Sequence, residues 1–193
     1  MAIMAVMSIL GILAMVGINN GVIADKAAEQ ILSQIREAQN KAFSVASVEV
    51  EEEGTIRTVY PVAWGVKIAA NTTTSFYVLD GGSGSSFDYR EVSGDNDRVN
   101  YTIKSITGVV GGNSIYYTYA SPFGKFVAQT GNLEHPCKTN GVNICSLRSD
   151  LPKNLEVDIR DSVMTTKTTT QIDFRGSTRS ITVEPNGEAS ISE

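Results

Sequence analysis

The sequence predicts an α+β protein in which a long N-terminal helix packs on a mainly antiparallel β-sheet head. Residues 1–18 contain no ionisable side chain, and residues 25–46 carry apolar side chains at helical spacing. After Gly54 the period of the apolar residues shortens toward two, and short segments rich in Val, Ile, Thr and aromatic residues alternate with turn signals. We therefore expect a helical region over residues 1–53 and a β-rich head over residues 54–193.

The first half of the helix, residues 1–24, is apolar on all sides. A span of about 20 apolar residues is long enough to cross a bilayer. An all-round apolar helix is buried either in lipid or in a bundle of similar helices. The segment lacks the basic start and the small-residue cleavage site of a signal peptide. It is therefore expected to stay part of the protein, in a membrane or in the core of an assembly.

The second half, assigned to residues 25–53, carries a single apolar stripe and a polar opposite face. This stripe is expected to cover one face of the β head. The acidic residues from Glu49 to Glu53 are interpreted as a solvated exit from the helix rather than a metal site. The stripe comprises Ala28, Ile31, Leu32, Ile35, Ala38, Ala42 and Val45.

The two halves meet at a weak helical segment consisting of Gly17, Asn19, Asn20 and Gly21. Glycine costs up to about 1 kcal/mol in a helix interior, and asparagine is also a poor helix former. A break is expensive in lipid, where backbone groups need internal partners. The segment is predicted to melt after it leaves the membrane. The alternative is a simple boundary between two helices.

The region after Gly54 is expected to be a set of short strands without a long helix. The lack of β-α-β alternation favours antiparallel pairing. The aromatic residues of these segments are interpreted as core packing without a ligand role. The predicted strands are Thr55–Tyr60, Gly65–Ala69, Ser75–Leu79, Arg98–Ile106, Ser114–Tyr119, Lys125–Gln129, Asn154–Ile159, Thr169–Phe174, Arg179–Glu184 and Ala189–Ser192.

Composition argues against several classes of function. The net charge of -5 argues against general binding to nucleic-acid phosphates. The single histidine, His135, argues against a catalytic Ser-His-Asp or Cys-His site. The glycine-rich residues 81–86 are followed by no Gly-Lys-Ser/Thr, so a flexible loop is expected there. Asp95, Asn96 and Asp97 suit calcium or an ordinary turn. We expect no enzymatic activity, no cofactor and no metal.

Cys137 and Cys145 flank a turn signal at Asn140 and Gly141. In an exported protein this spacing favours a disulfide that closes a short surface loop. The alternatives are a metal site with His135, which would be one ligand short of a closed zinc site, and two free thiols.

The whole pattern resembles the type IV pilins and the pseudopilins of type II secretion. Residues 31–47, ILSQIREAQNKAFSVAS, are similar to the end of the helix in the H-type, FimT-like branch. Similar phrases follow in the family's order at residues 64–68, 75–80, 115–126 and 170–191. The resemblance covers most of the chain and implies a pilin-like fold. It also implies cleavage by a prepilin peptidase and methylation, which would make Met1 the processed N-terminus of the mature chain.

One departure concerns the fifth residue, where the family usually has a glutamate that pairs with the terminal amine of a neighbouring subunit. This sequence has Ala5 at that position, so it lacks the carboxylate that this pairing requires. A second is that the sequence shows no leader ending in glycine before Met1, as expected if it is numbered from the mature N-terminus. The alternative is that Met1 is the initiator, in which case processing is not expected from the resemblance.

The resemblance implies a structural subunit of a type IV pilus-like filament that serves attachment, motility or contact. Its expected partners are copies of itself, the pilus assembly machinery and the inner membrane, which would hold the precursor before the chain reaches the cell surface. The alternatives are a minor pseudopilin, a DNA-uptake tip using Arg175 and Arg179, and a single-pass membrane protein with a ligand-binding head. The expected filament core consists of Ile3, Met4, Val6, Met7, Ile9, Leu10, Leu13, Met15 and Val16.

Overall fold

The computed structural model describes residues 2–52, 54–80, 87–92, 101–109, 112–121, 126–130, 138–139, 142–143, 164 and 166–192. Side chains are described within these ranges except at residues 2–14, 17, 87, 138, 139, 142 and 143. The predicted strand Asn154–Ile159 lies outside the described residues.

One long helix and thirteen strands make up the described chain. The helix α1 spans Ala2–Phe43. The strands are β1 Val48–Glu52, β2 Thr55–Val59, β3 Ala63–Ala69, β4 Thr72–Asp80, β5 Phe87–Glu91, β6 Thr102–Thr107, β7 Ser114–Ala120, β8 Phe126–Thr130, β9 Lys138–Thr139, β10 Val142–Asn143, β11 Thr168–Phe174, β12 Ser177–Val183 and β13 Ala189–Ser192.

The strands form two main sheets and two short hairpins, and every described pair is antiparallel. The larger sheet has the order β5-β4-β3-β7-β8, and the smaller one has the order β13-β12-β11-β6. The separate hairpins are β1-β2 and β9-β10. The predicted α+β class, with a long N-terminal helix on mostly antiparallel sheets, is confirmed.

The second half of α1 packs against strands of both sheets. A single core cluster joins the helix to the two sheets, with Ile31 and Ile35 from α1, Tyr117 from β7, and Ile172 and Ile181 from β11 and β12. A second cluster that includes Phe76 and Val127 lies on the other face of the larger sheet. The head is thus held together by the helix as well as by strand pairing.

The helix ends earlier than the sequence suggested. Residues 48–52, assigned to the amphipathic half of the helix, form β1 and pair with β2. The alternation of Val48, Glu49, Val50 and Glu51 has the period of a strand, and Val50 is buried while its neighbours face outward. The assignment of 25–53 to the helix was therefore wrong over its last residues.

The end of α1 is fixed by hydrogen bonds to its last carbonyls. Val45 adopts a left-handed conformation with φ of 53°, and the amide of Ala46 donates to the carbonyl of Lys41 over 3.0 Å. The hydroxyl of Ser121 donates to the carbonyl of Ala42 over 3.0 Å in a buried position. The chain therefore turns sharply away from the helix and enters β1.

Candidate assembly surface

The helix changes its surroundings near Ala24. From Ala24 onward, a stripe of side chains is buried against the sheets, including Ala27, Ile31 and Ile35. Before that point Met15, Val16, Ile18 and Val22 are exposed, with Met15 75% and Ile18 69% accessible. The head therefore covers the second half of the helix and leaves apolar residues of the first half uncovered.

The predicted filament-core residues lie in this first half. The backbone of α1 is helical from Ala2, so these positions follow one another on a single helix. Met15 and Val16 are the two whose side chains are described, and both are exposed. The side chains from Ile3 to Leu13 and the whole of Met1 lie outside the described residues.

The part of the chain whose side chains are described includes no helix with the length and apolar content needed to cross a bilayer.

The weak helical segment is continuous helix in this structure. Asn20 donates from its side-chain amide to the carbonyl of Arg175 over 3.4 Å. A methyl group at Gly21 would lie 3.9 Å from an Nη atom of Arg179, which is ordinary contact. The tip of the β11–β12 hairpin therefore rests against the segment, and its melting during assembly stays a prediction.

An ion pair joins the same hairpin to the helix one turn further on. The guanidinium Nε of Arg179 donates to a carboxylate oxygen of Asp25. This hydrogen bond lowers the pKa of Asp25 more than partial burial raises it. Arg179 is largely buried whereas Asp25 is half exposed, so the carboxylate anchors a cation that the head partly encloses.

The hairpin tip has a defined turn geometry. Arg175 and Gly176 both have positive φ, 48° and 91°, between the paired residues Phe174 and Ser177. Two such residues match the twist of the flanking strands in a two-residue hairpin. Asp173 accepts from the amide of Gly176 over 3.1 Å with one carboxylate oxygen. Its other oxygen accepts from the hydroxyl of Thr178 over 3.0 Å. The tip is therefore a firm support for the contacts to α1.

A second exposed surface lies on the β1–β2 hairpin. Glu49 and Glu51 share its outer face with Thr58 and Ile56, their partners on β2. Ile56 is 69% accessible, and no cation is paired with Glu49 or Glu51 among the described residues. Glu52 points to the other face and lies 3.7 Å from Arg90 of β5. We call Glu49, Glu51, Ile56 and Thr58 the acidic face.

The predicted disulfide and the alternative zinc and calcium sites fall on residues outside the described part of the chain. Cys137, Cys145, His135 and the Asp95–Asp97 stretch lie outside the described residues. Within the described ranges no three His, Cys, Asp or Glu side chains come together as metal ligands.

An open groove of about 750 Å³ runs along the outer side of α1, next to β13. Its lining from the helix is mainly polar, and Ile191 contributes from the strand. Arg36 spans the groove and donates to the carbonyl of Ala189 over 3.5 Å. The groove brings together no nucleophile and base, and we assign it no ligand.

Sequence reasoning missed Asp25 as the partner of Arg179. The two residues are 154 positions apart, and no local pattern links them. It also treated Glu49 and Glu51 as the end of a helix, although the Val-Glu alternation was a sign of a strand with one charged face.

No protein-family model, curated protein sequence or solved structure matches the chain.

Proposed function

We propose that the chain is the structural subunit of an extracellular, type IV pilus-like helical filament. The observation that supports this most directly is the division of α1 near Ala24. One half of the helix is built into the head, and the other carries exposed apolar side chains such as Met15 and Ile18. A long apolar helix that extends from a folded head needs partners along its length.

The energetics depend on the medium that the helix leaves. Moving one large apolar side chain from water into a protein core gains roughly 1.5–3 kcal/mol. From lipid most of this gain disappears, so close packing and many repeated contacts must hold the assembly together. Small residues recur every third position along the first helix turns, which favours a close approach of helices. They are Ala2, Ala5, Ser8, Gly11 and Ala14.

A contact between different surfaces of identical copies repeats without closing when its rotation does not complete a ring. Such a contact produces a helical fibre. In the proposed filament the N-terminal helices form the centre and the β heads form the outer surface. The membrane holds the chain before assembly, and a prepilin peptidase and an assembly machinery act on it.

A charge placed inside the helix bundle tests the proposal. Leu10→Asp is expected to abolish fibres, because a carboxylate among packed apolar helices has no partner. Ser190→Asp introduces the same side chain on an exposed position of β13 and serves as the matched control. The measurement is electron microscopy of material sheared from the surface of cells that produce each variant. Mass spectrometry of the N-terminus shows whether Met1 is processed and methylated.

The alternatives give different results. A minor pseudopilin or a DNA-uptake tip would be present in few copies per fibre. A membrane-anchored head with a binding role would be a monomer or small oligomer in detergent and would form no fibre. In that last case Leu10→Asp would disturb membrane insertion alone, and the proposal would have to be abandoned.

A further inference from the structure

The head carries opposite charges at its two ends along the helix axis. One end is the hairpin tip that contacts α1 near Asp25. Arg175 is exposed at this tip, and Lys104 lies beside it with its Nζ 3.4 Å from the hydroxyl of Thr178. Lys26 is exposed on the helix next to Asp25. We call Lys26, Lys104 and Arg175 the basic end.

Two carboxylates near the basic end already have partners, and one more, Glu29, is exposed on α1 about one turn after Lys26. Asp25 is paired with Arg179, and Asp173 accepts hydrogen bonds from Gly176 and Thr178. Within the described part of the chain, no carboxylate is paired with the three residues of the basic end. With the carboxylate of Glu29 counted against these three cations, this end still presents a net positive charge to the surroundings.

The acidic face lies near the opposite end. The Nζ atom of Lys41, near the end of α1, lies 5.0 Å from the centre of the Trp64 ring. Trp64 of β3 pairs across the sheet with Tyr77 of β4, and Tyr77 pairs with Arg90 of β5. Arg90 in turn contacts Glu52 of the acidic hairpin. At about 1.5 Å per residue, Lys41 is about 24 Å further along the helix than Asp25.

The β12–β13 turn adds negative charge at this far end. Strand β12 runs from the hairpin tip at Ser177 to Val183, which is about 20 Å at the usual rise of a strand. Glu184 and Glu188 follow in the turn and are both exposed. The tip and the turn thus lie at opposite ends of β12 and carry opposite charge.

We propose that the acidic face of one copy docks on the basic end of the next copy, head to tail along the filament. This inference rests on the proposed function. The two surfaces belong to the same chain and are complementary in sign, so one type of contact repeats from copy to copy. Exposed Ile56 lies directly opposite Glu51 on the neighbouring strand and supplies an apolar contact beside the carboxylates, as in interfaces with a polar rim.

A charge swap tests the contact. The acidic variant is Lys104→Glu with Arg175→Glu, and the basic variant is Glu49→Lys with Glu51→Lys. Each variant is expected to reduce fibre yield about tenfold or more, because two surfaces of like charge then face each other. An equimolar mixture of the two variants, or one chain with all four changes, is expected to restore fibres. Lys167→Glu makes the same change of charge at an exposed position beside the β12–β13 turn, outside both surfaces, and is the control that leaves the yield unchanged.

Salt gives an independent measurement. Exposed charges are screened within about 8 Å at 0.15 M salt and about 3 Å at 1 M. Sedimentation velocity of the full chain in detergent is expected to show self-association at low salt that 1 M NaCl suppresses. The acidic and basic variants alone should not associate at low salt, whereas their mixture should.

The outcomes separate this contact from the proposed function. Normal fibres from both single-surface variants would overturn the contact and leave the filament proposal standing. A wild-type chain that forms no fibres would count against the filament, and low-salt sedimentation would still decide the contact. Failure of the mixture and of the four-fold variant to associate would refute the contact. Binding of the wild type and the basic variant, but not of the acidic variant, to anionic vesicles, without self-association of the wild type, would assign the basic end to a lipid surface instead.

Discussion

Arg179 of β12 donates a hydrogen bond to the carboxylate of Asp25 on α1, and the pair lies where the helix leaves the cover of the head. Asn20 adds a second contact to the same hairpin one turn earlier. The β11–β12 hairpin therefore holds the helix at the boundary between its uncovered and covered halves. A rearrangement of the helix in the proposed assembly would therefore act on these two contacts.

The Asp25–Arg179 pair makes a pH-dependent contribution to stability. Because the folded-state pKa of Asp25 is lowered from its ordinary value, the contribution is present above the unfolded pKa of about 3.9. It is lost as the pH falls through the folded pKa. Asp25→Asn is expected to lower the urea midpoint at pH 7 and to match the wild type at a pH below the folded pKa.

A direct measurement of the same pair is the titration of Asp25 by NMR. Arg179→Gln is expected to raise the pKa of Asp25, because the hydrogen bond from Arg179 is the largest cause of the lowered pKa. Lys26→Gln removes a neighbouring cation outside the pair and serves as the control. Equal pKa values in the wild type and Arg179→Gln would disprove the pairing in solution.

Ile35 and Met15 test the two halves of the helix separately. Ile35 is fully buried in the core that joins α1 to both sheets. Ile35→Ala is expected to cost about 2–5 kcal/mol of unfolding free energy, measured with urea. Met15→Ala should leave this value within about 0.5 kcal/mol, because Met15 is exposed in the single chain. Fibre yield should fall for Met15→Ala, and an unchanged yield would contradict a role of Met15 in the filament core.

Gly65 allows β3 to approach its neighbours closely. A methyl group at this position would overlap the ring of Phe76 and the carbonyl oxygen of Tyr117. Gly65→Ala is expected to cost about 1–3 kcal/mol of unfolding free energy through overpacking. Gly176→Ala is the contrasting variant, because its methyl group would meet no atom within 4 Å. Its only cost is the positive φ, which destabilises a residue with a side chain by about 1–2 kcal/mol. If Gly65→Ala is as stable as the wild type, the packing of β3 differs from this description.

Tyr101 makes the protein sensitive to alkali. Its hydroxyl donates to the carbonyl of Thr72 over 2.7 Å and lies 2.8 Å from the hydroxyl of Thr73. Burial raises the pKa of Tyr101 to about 12, although the hydrogen bond with Thr73 lowers it. The unfolded chain releases this proton near pH 10, so stability falls as the pH rises from about 10 to 12.

The variant Tyr101→Phe isolates this effect. Other buried tyrosines add to the alkaline slope in both proteins, so the difference between the slopes reports Tyr101. The slope of unfolding free energy against pH is expected to be less steep by about 1.4 kcal/mol per pH unit in the variant. Parallel slopes would mean that Tyr101 is solvated.

The secondary structure was predictable wherever a local period was clear. Strands β4, β7 and β12 were expected near their observed positions, because alternation and β-branched residues are local signals. Strand β1 was assigned to the helix because its glutamates follow the amphipathic stripe closely. Strand β5 was missed because Asp88, Arg90 and Glu91 leave little apolar pattern in five residues.

The order of the strands within the sheets and the grouping of charges into two surfaces could not be predicted from the sequence. Strand β6 pairs with β11, some sixty residues later, and such pairing depends on the packing of the whole head. The basic end combines residues from three separate segments, and the acidic face depends on the pairing of β1 with β2. Single charges were visible in the sequence, but their grouping at two ends of one axis follows from the fold.

Gly21 tests whether the weak helical segment has to melt. A methyl group fits at this position, since the nearest atom outside its helical surroundings, on Arg179, is 3.9 Å away. Gly21→Ala is therefore expected to stabilise the helix by up to about 1 kcal/mol, measured by urea unfolding. If assembly requires melting of residues 17–21, the variant must assemble more slowly although it folds more stably, because the same free energy opposes the opened form. Ser33→Ala raises helix propensity at an exposed position outside the segment and controls for stability itself. Equal assembly rates for Gly21→Ala and Ser33→Ala would favour a helix that stays continuous in the fibre.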